Sequence, residues 1–231
     1  MEKEIYIKVT KDGPYMVYGL KAPARLSEKV ILVDENGVSV KYGDGKSFEI
    51  KSDPIALCRC GHSKNAPFCD TSHLQGFDGK ETASFEPILE DAEFIEGPNL
   101  TLADNEMYCA YARFCDARGR IWNLVSIGSE KSDKDTVELA NLCPSGRLMV
   151  FDGEGNSLGE KLPESVCCLE DSGLEISGPL WVRGGIRVES ENGKSYEVRN
   201  RQTLCRCGAS GNKPFCNGAH ASINYKAKYP K

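Results

Sequence analysis

A ligand spacing that occurs twice constrains this chain more than any other feature. Cys58-Arg59-Cys60, followed by Cys69 and His73, forms a C-x-C-x8-C-x3-H cluster, and Cys205-Arg206-Cys207, Cys216 and His220 repeat it. The chain has only three histidines, and two of them close an identical set of three thiols and one imidazole. Thiolates and imidazoles at fixed spacing are metal ligands, so each set can hold one metal centre. The repetition reaches beyond the ligands. Residues 57–73 and 204–220 share Leu, Cys, Arg, Cys, Gly, Ser, Asn, Pro, Phe, Cys and His in register, including Ser63/Ser210, Pro67/Pro214 and Phe68/Phe215.

Upstream of each ligand loop the likeness continues. Gly37-Val38-Ser39-Val40 leads through Asp44-Gly45 into residues 46–51, and Gly185-Ile186-Arg187-Val188 leads through Asn192-Gly193 into residues 194–199. A Gly preceded by Asp or Asn between alternating apolar residues is a hairpin signal, because a type I′ turn needs positive φ at both central positions. Each repeat is therefore expected to be a β-hairpin feeding a ligand loop. Gly13-Pro14-Tyr15-Met16-Val17-Tyr18-Gly19 also resembles Gly178-Pro179-Leu180-Trp181-Val182-Arg183-Gly184, a similar strand entry in each half. Residues 4–9, with Ile5, Ile7 and Val9 alternating, read as a strand, as do 29–33, 38–41 and 148–151. The helix signal is at 133–142, where Ser132 or Asp133 can cap an apolar side of Val137, Leu139, Ala140 and Leu142, ended by Cys143-Pro144. The expected fold class is α+β: β-rich units at 1–85 and 165–231 related by a pseudo-two-fold axis, and a small α+β domain at 95–152.

Composition narrows the setting. A chain of 231 residues can bury a proper core. No run of about 18 apolar residues is present, and Met1-Glu2-Lys3-Glu4 lacks the layout of a signal peptide, so a cytoplasmic protein without a membrane partner is expected. Eleven cysteines is high for such a chain, and in a reducing compartment metal ligation explains them better than disulfides. A net charge of −5 with interspersed signs gives no basic face to follow a phosphate backbone, which argues against nucleic acid. Nucleophile–base pairs with a supporting motif, phosphate-binding glycine loops and dinucleotide fingerprints are absent from the sequence. An enzyme is not expected.

Which metal follows from the bite. Structural zinc suits three cysteines and a histidine, but common zinc knuckles use C-x₂₋₄-C pairs. C-x-C sets two thiolates one residue apart, a bite better suited to two sulfurs on one iron of a cluster. Proximity then pairs Cys58 with Cys60 and Cys69 with His73, and likewise Cys205 with Cys207 and Cys216 with His220. His62 aligns with Ala209, which points to a surface or hydrogen-bonding role.

These residues resemble the CDGSH iron–sulfur family, the NEET proteins, whose signature is C-x-C-x2-[ST]-x3-P-x-C-D-G-x-H. The first copy matches at Cys58, Cys60, Ser63, Pro67, Cys69, Asp70 and His73 but carries Thr71 where the family has Gly. The second matches at Cys205, Cys207, Ser210, Pro214, Cys216, Gly218 and His220 but carries Asn217 where Asp is usual. The resemblance implies a redox-active [2Fe-2S] cluster with 3Cys:1His coordination in each motif. It also implies that the two motifs pack about a pseudo-two-fold axis, doing within a monomer what homodimeric members do with two chains.

The middle cysteines form a separate case. Cys109 and Cys115 are a C-x5-C pair, and Cys143-Pro144 follows the helix. This resembles the divergent single-cluster ferredoxin-like domain, with Ala112 at the central cysteine position. Three thiolates suit a [3Fe-4S] cluster, or a [4Fe-4S] cluster with another fourth ligand; Cys167 or Cys168 could supply it, or both could be buried apolar residues. The function expected is one-electron transfer between a redox partner protein and an acceptor. The alternatives are transfer of a cluster to an apo-acceptor protein, redox or pH sensing, and a zinc-stapled scaffold. Trp122 and Trp181 read as core residues in strand-like runs.

Overall fold

Alternation of apolar and polar residues builds the outer strands of both halves. The structure is a computed structural model and describes residues 4–21 and 25–230. In β1 (Tyr6–Val9) the alternating Ile7 and Val9 are fully buried, and β2 (Tyr15–Tyr18) buries Tyr15 and Val17 opposite them. β3 (Leu26–Val33), β4 (Ser39–Ser47) and β5 (Ile55–Leu57) complete the first half. The middle segment supplies β6 (Glu93–Glu96), β7 (Leu100–Asp104), α1 (Ile121–Leu124), α2 (Glu130–Leu142) and β8 (Leu148–Asp152). The second half consists of β9 (Ser165–Asp171), β10 (Ile176–Arg183), β11 (Arg187–Glu189), β12 (Arg201–Leu204) and α3 (Ala219–Ser222). Among the described residues no helix is long and apolar enough to cross a membrane.

The halves exchange strands. β1 pairs antiparallel with β2, and β2 with β5; β9 and β10, then β10 and β12, repeat this pattern. The third strand of each half crosses over. β11 lies parallel to β1, with Ile7 opposite Val188, and β3 lies parallel to β9, with Leu26 opposite Val166. The resulting sheets run β11-β1-β2-β5 and β12-β10-β9-β3-β4. One core fills the space between them: Ile7, Val17, Leu26 and Leu57 from the first half pack with Val166, Val182, Val188 and Leu204 from the second. Burying each such side chain stabilises by about 1.5–3 kcal/mol, and in this core side chains of one half are buried together with those of the other.

One hairpin falls elsewhere than expected. β4 runs straight through Asp44-Gly45, and the turn is at Asn36-Gly37, joining β3 to β4. There the Asp34 carboxylate accepts from the Asn36 and Val38 amides at 2.9 Å each, and Gly37 takes φ 76°. Asp44-Gly45 instead sits at a register shift opposite Glu28, where a Cβ on Gly45 would come within 2.6 Å of the Glu28 Cβ. That glycine serves close approach, not a turn. Asn192-Gly193 does turn the chain: the Gly193 amide donates to the Ser190 carbonyl and the Ser190 amide to the Lys194 carbonyl, both at 2.9 Å. Only the glycine of that dipeptide has positive φ, at 79°, the mark of a turn closed by a left-handed glycine and not of type I′.

The middle segment folds as an antiparallel sheet, β6-β7-β8, backed by α1 and α2. α2 begins at Glu130, ahead of the expected residue 133. Ser129 is its cap, its Oγ accepting from the Ser132 amide at 3.2 Å while Ser132 Oγ accepts from the Ser129 amide at 3.0 Å. Ser132, read from sequence as a cap, is thus the reciprocal partner. Trp122 lies in α1, not in a strand, and its indole N–H donates to Asp104 at 2.9 Å. Trp181 is in β10 and buried.

Candidate metal centres

The repeated residues of the ligand loops recur because each closes the same hydrogen bond. In the first loop Cys58 N donates to Pro67 O at 2.8 Å, Ser63 Oγ to Phe68 O at 2.7 Å and Cys69 N to Ala56 O at 2.9 Å. In the second, Cys205 N donates to Pro214 O at 2.8 Å, Ser210 Oγ to Phe215 O at 2.7 Å and Cys216 N to Thr203 O at 2.9 Å. Both loops carry a cis peptide before the shared proline. The amide two residues after the third cysteine points at that sulfur in each loop, Thr71 N to Cys69 Sγ and Gly218 N to Cys216 Sγ, at 3.4 Å. Such an N–H stabilises thiolate over thiol.

The donors stand in pairs. Cys58 Sγ and Cys60 Sγ are 3.8 Å apart, and Cys69 Sγ lies 3.3 Å from His73 Nδ1. Cys205 Sγ and Cys207 Sγ are 3.7 Å apart, and Cys216 Sγ lies 3.5 Å from His220 Nδ1. Two ligands bound tetrahedrally to one ion at about 2.0–2.3 Å are separated by about 3.5–3.8 Å, so each pair has the bite of one ion. Among the described residues no three such donors converge on a single-ion position. Within the C-x-C pairs the first thiol is pulled down by the hydrogen bond from the second, which is pushed up in turn.

The loops meet at the pseudo-two-fold axis. Cys60 and Cys207 form an antiparallel bridge, and a Cβ on Gly61 or Gly208 would lie 2.5 Å from the opposing Cys207 or Cys60 carbonyl oxygen. Their surroundings differ. Cys69 and His73 are half-buried and neighbour the exposed Leu74, whereas Cys216 and His220 are buried. Burial pushes the His220 imidazole down to about 4, aided by Arg206 and opposed by Asp171 and Glu170. His62 is exposed.

Cys109, Cys115 and Cys143 line one recess in the middle segment, together with Ala112, Pro144 and Arg147. Tyr111 and Arg113 hold the intervening loop in left-handed conformations, φ 53° and 62°. Among the described residues no backbone oxygen accepts the amides of residues 110–114. A run of N–H groups without a backbone acceptor beside three thiols suits an anionic group. Burial pushes the Cys115 thiol up to about 12, reinforced by Cys143, Asp116 and Cys109. The recess abuts the second ligand loop, where a Cβ on Gly218 would lie 3.4 Å from the Cys109 carbonyl oxygen. Cys167 and Cys168 are buried in β9 and pack on its opposite faces, away from the recess. Sequence reading gave no role to Arg59, Arg206 or Glu170. The arginines recur in the motif, but Glu170 has no local signature and reaches Arg206 only through the fold.

Two regions of the chain, residues 12–74 and 177–221, match a family model described as iron-binding zinc finger, CDGSH type. Comparison with curated proteins and with solved structures yields no match. Each matched region spans one ligand loop, Cys58 to His73 in the first and Cys205 to His220 in the second, and residues 75–176 lie outside the match.

Proposed function

We propose that the chain is an electron-transfer protein, not an enzyme, that carries a [2Fe-2S] cluster in each CDGSH loop. The pairing of the donors carries this reading. Cys58 with Cys60, and Cys69 with His73, would each hold one of two irons; Cys205 with Cys207, and Cys216 with His220, would do the same. Four ligands gathered on a single zinc would converge on one point, whereas these stand as two bites. When bound, such a cluster supplies one-electron redox chemistry, and an imidazole in place of a thiolate raises its potential. The protein's own part is to hold the thiolates, through the amides of Thr71 and Gly218, and to keep water from the second site.

Cys109, Cys115 and Cys143 would hold a third cluster, [3Fe-4S] or [4Fe-4S], in the recess with the unpaired amides. A second reading, cluster transfer to an apo-acceptor protein, is favoured by the half-buried Cys69 and His73 beside exposed Leu74. Iron, sulfide and zinc counts with EPR spectra on anaerobically purified protein test all of this. About four irons with only a [2Fe-2S] signature fit the paired sites alone, and seven or eight add the third. Zinc without colour overturns the redox reading.

A further inference from the structure

The two CDGSH loops place an arginine at the same position with opposite electrostatic outcomes. Arg59 and Arg206 each stand between two ligand cysteines, and both are almost fully buried, 1% and 2% exposed. Arg206 is ion-paired: its Nη2 lies 2.6 Å from Glu170 Oε1, and it also donates to the Leu169 and Gly178 carbonyls. Glu170 is held in place by Ser177 Oγ and Tyr229 OH, each donating at 2.6 Å. Arg59 donates only to the neutral carbonyls of Thr10 and Gly79, stacks near Tyr15 and Phe77, and among the described residues pairs with no carboxylate.

Other charges nearby do not cancel this difference. Asp171 and Arg113, beside the second loop, neutralise each other at 2.5 Å. On the first loop's side Asp12 is exposed and Asp70 nearly so, where solvent screens them. Screening acts far less on a buried guanidinium. The first site therefore keeps a net buried positive charge that Glu170 removes from the second.

We infer that Glu170 is a positioning residue that sets the two [2Fe-2S] centres apart in potential, leaving the first as the preferred electron acceptor. This rests on the proposed cluster assignment. Each centre takes up one electron from the reductant, with no bond made or broken, and the added negative charge is stabilised more beside unpaired Arg59 than beside paired Arg206. The offset expected from one buried charge is about tenfold in the reduction equilibrium, about 59 mV for one electron.

The test is a potentiometric titration with dithionite and redox dyes, followed by EPR, on the holoprotein and its variants. The unaltered protein shows two one-electron waves. Glu170→Gln raises the lower wave by about tenfold and leaves the upper in place, closing the gap; Arg59→Gln lowers the upper wave by a similar factor. A structural role alone would reduce cluster content without moving a potential. Both variants at full cluster content with unmoved waves would overturn the inference. Should Glu170→Gln not assemble, an unmoved upper wave in Arg59→Gln does so by itself. Iron and sulfide counts on the same samples separate the failures: an absent [2Fe-2S] signal in the unaltered protein defeats the cluster reading, whereas about four irons with unmoved waves defeats only the role of Glu170.

Discussion

The first and second ligand loops are built from the same hydrogen bonds, to within 0.1 Å in the pairs compared, yet they stand in different surroundings. The second loop lies under the middle segment, with Tyr111 and Cys109 against Gly218, and its Cys216 and His220 are buried. In the first loop Cys69 and His73 instead share the surface with Leu74. The repeat therefore keeps the paired-donor geometry and lets its environment differ. Environment is what sets access, proton supply and potential, so two nearly identical sites can hold unequal roles.

The largest effect is expected where the loops are not separate at all. Gly61 has φ 80°, and an added Cβ would lie 2.5 Å from Cys207 O and 2.8 Å from its carbonyl carbon; Gly208 has the mirror contact with Cys60. Both neighbours are backbone and cannot swing away. Gly61→Ala and Gly208→Ala should each cost about 2–5 kcal/mol, combining left-handed strain with overpacking. Because the contact straddles the axis, either change should weaken both sites. Denaturant unfolding followed by cluster absorbance measures this. Loss confined to the altered loop would show that the halves respond independently.

A second test separates the sites by acid. An imidazole that takes up a proton must leave its metal. His220 in the metal-free site has its pKa lowered to about 4, below the unfolded value of about 6.5. The unfolded state then binds more protons between those values, so the contribution of His220 is complete above about 6.5 and declines as pH falls toward 4. His73 is half-buried, so its site is more open to solvent than that of His220. Absorbance of the holoprotein should bleach in two steps as pH is lowered, the first site before the second. A single step carrying all the [2Fe-2S] absorbance would erase the comparison.

How far these differences can be read from sequence depends on their range along the chain. The spacing of Cys58, Cys60, Cys69 and His73 and its repeat are local, and so is the apolar side of α2, which is why they can be recognised. The exchange of β3 and β11 pairs residues more than a hundred positions apart, such as Leu26 and Val166, and alternation within a strand does not say which strand lies beside it. Asp44-Gly45 carries a turn signature, yet Asp34 commands the turn by accepting two amides, a preference that the dipeptide does not display. The ion pair of Arg206 with Glu170 and the cover over Gly218 belong to the same non-local class. The paired donors of each candidate site were therefore legible, and the surroundings that distinguish one site from the other were not.

The smallest expected effect isolates one residue of that difference. Thr71 and Gly218 occupy equivalent positions, both left-handed, at φ 70° and 85°. A β-branched residue there is strained by about 1–2 kcal/mol, and the Thr71 hydroxyl, which donates to the Asp70 carbonyl at 2.5 Å, offsets part of it. Thr71→Gly relieves the strain but adds about 0.4–1 kcal/mol of unfolded-state freedom. The net gain should be below about 1 kcal/mol, just resolvable in denaturant midpoints. Gly218→Ala should cost more, about 1–2 kcal/mol, through left-handed strain alone, because the added Cβ would make only ordinary contacts with Cys109 O at 3.4 Å and Tyr111 at 3.5 Å. Equal and opposite responses would mean that the Thr71 hydroxyl offsets none of the strain. A larger penalty in the second loop is what the Thr71 hydroxyl requires, since its bond to the Asp70 carbonyl recovers part of the strain and an alanine has no such group.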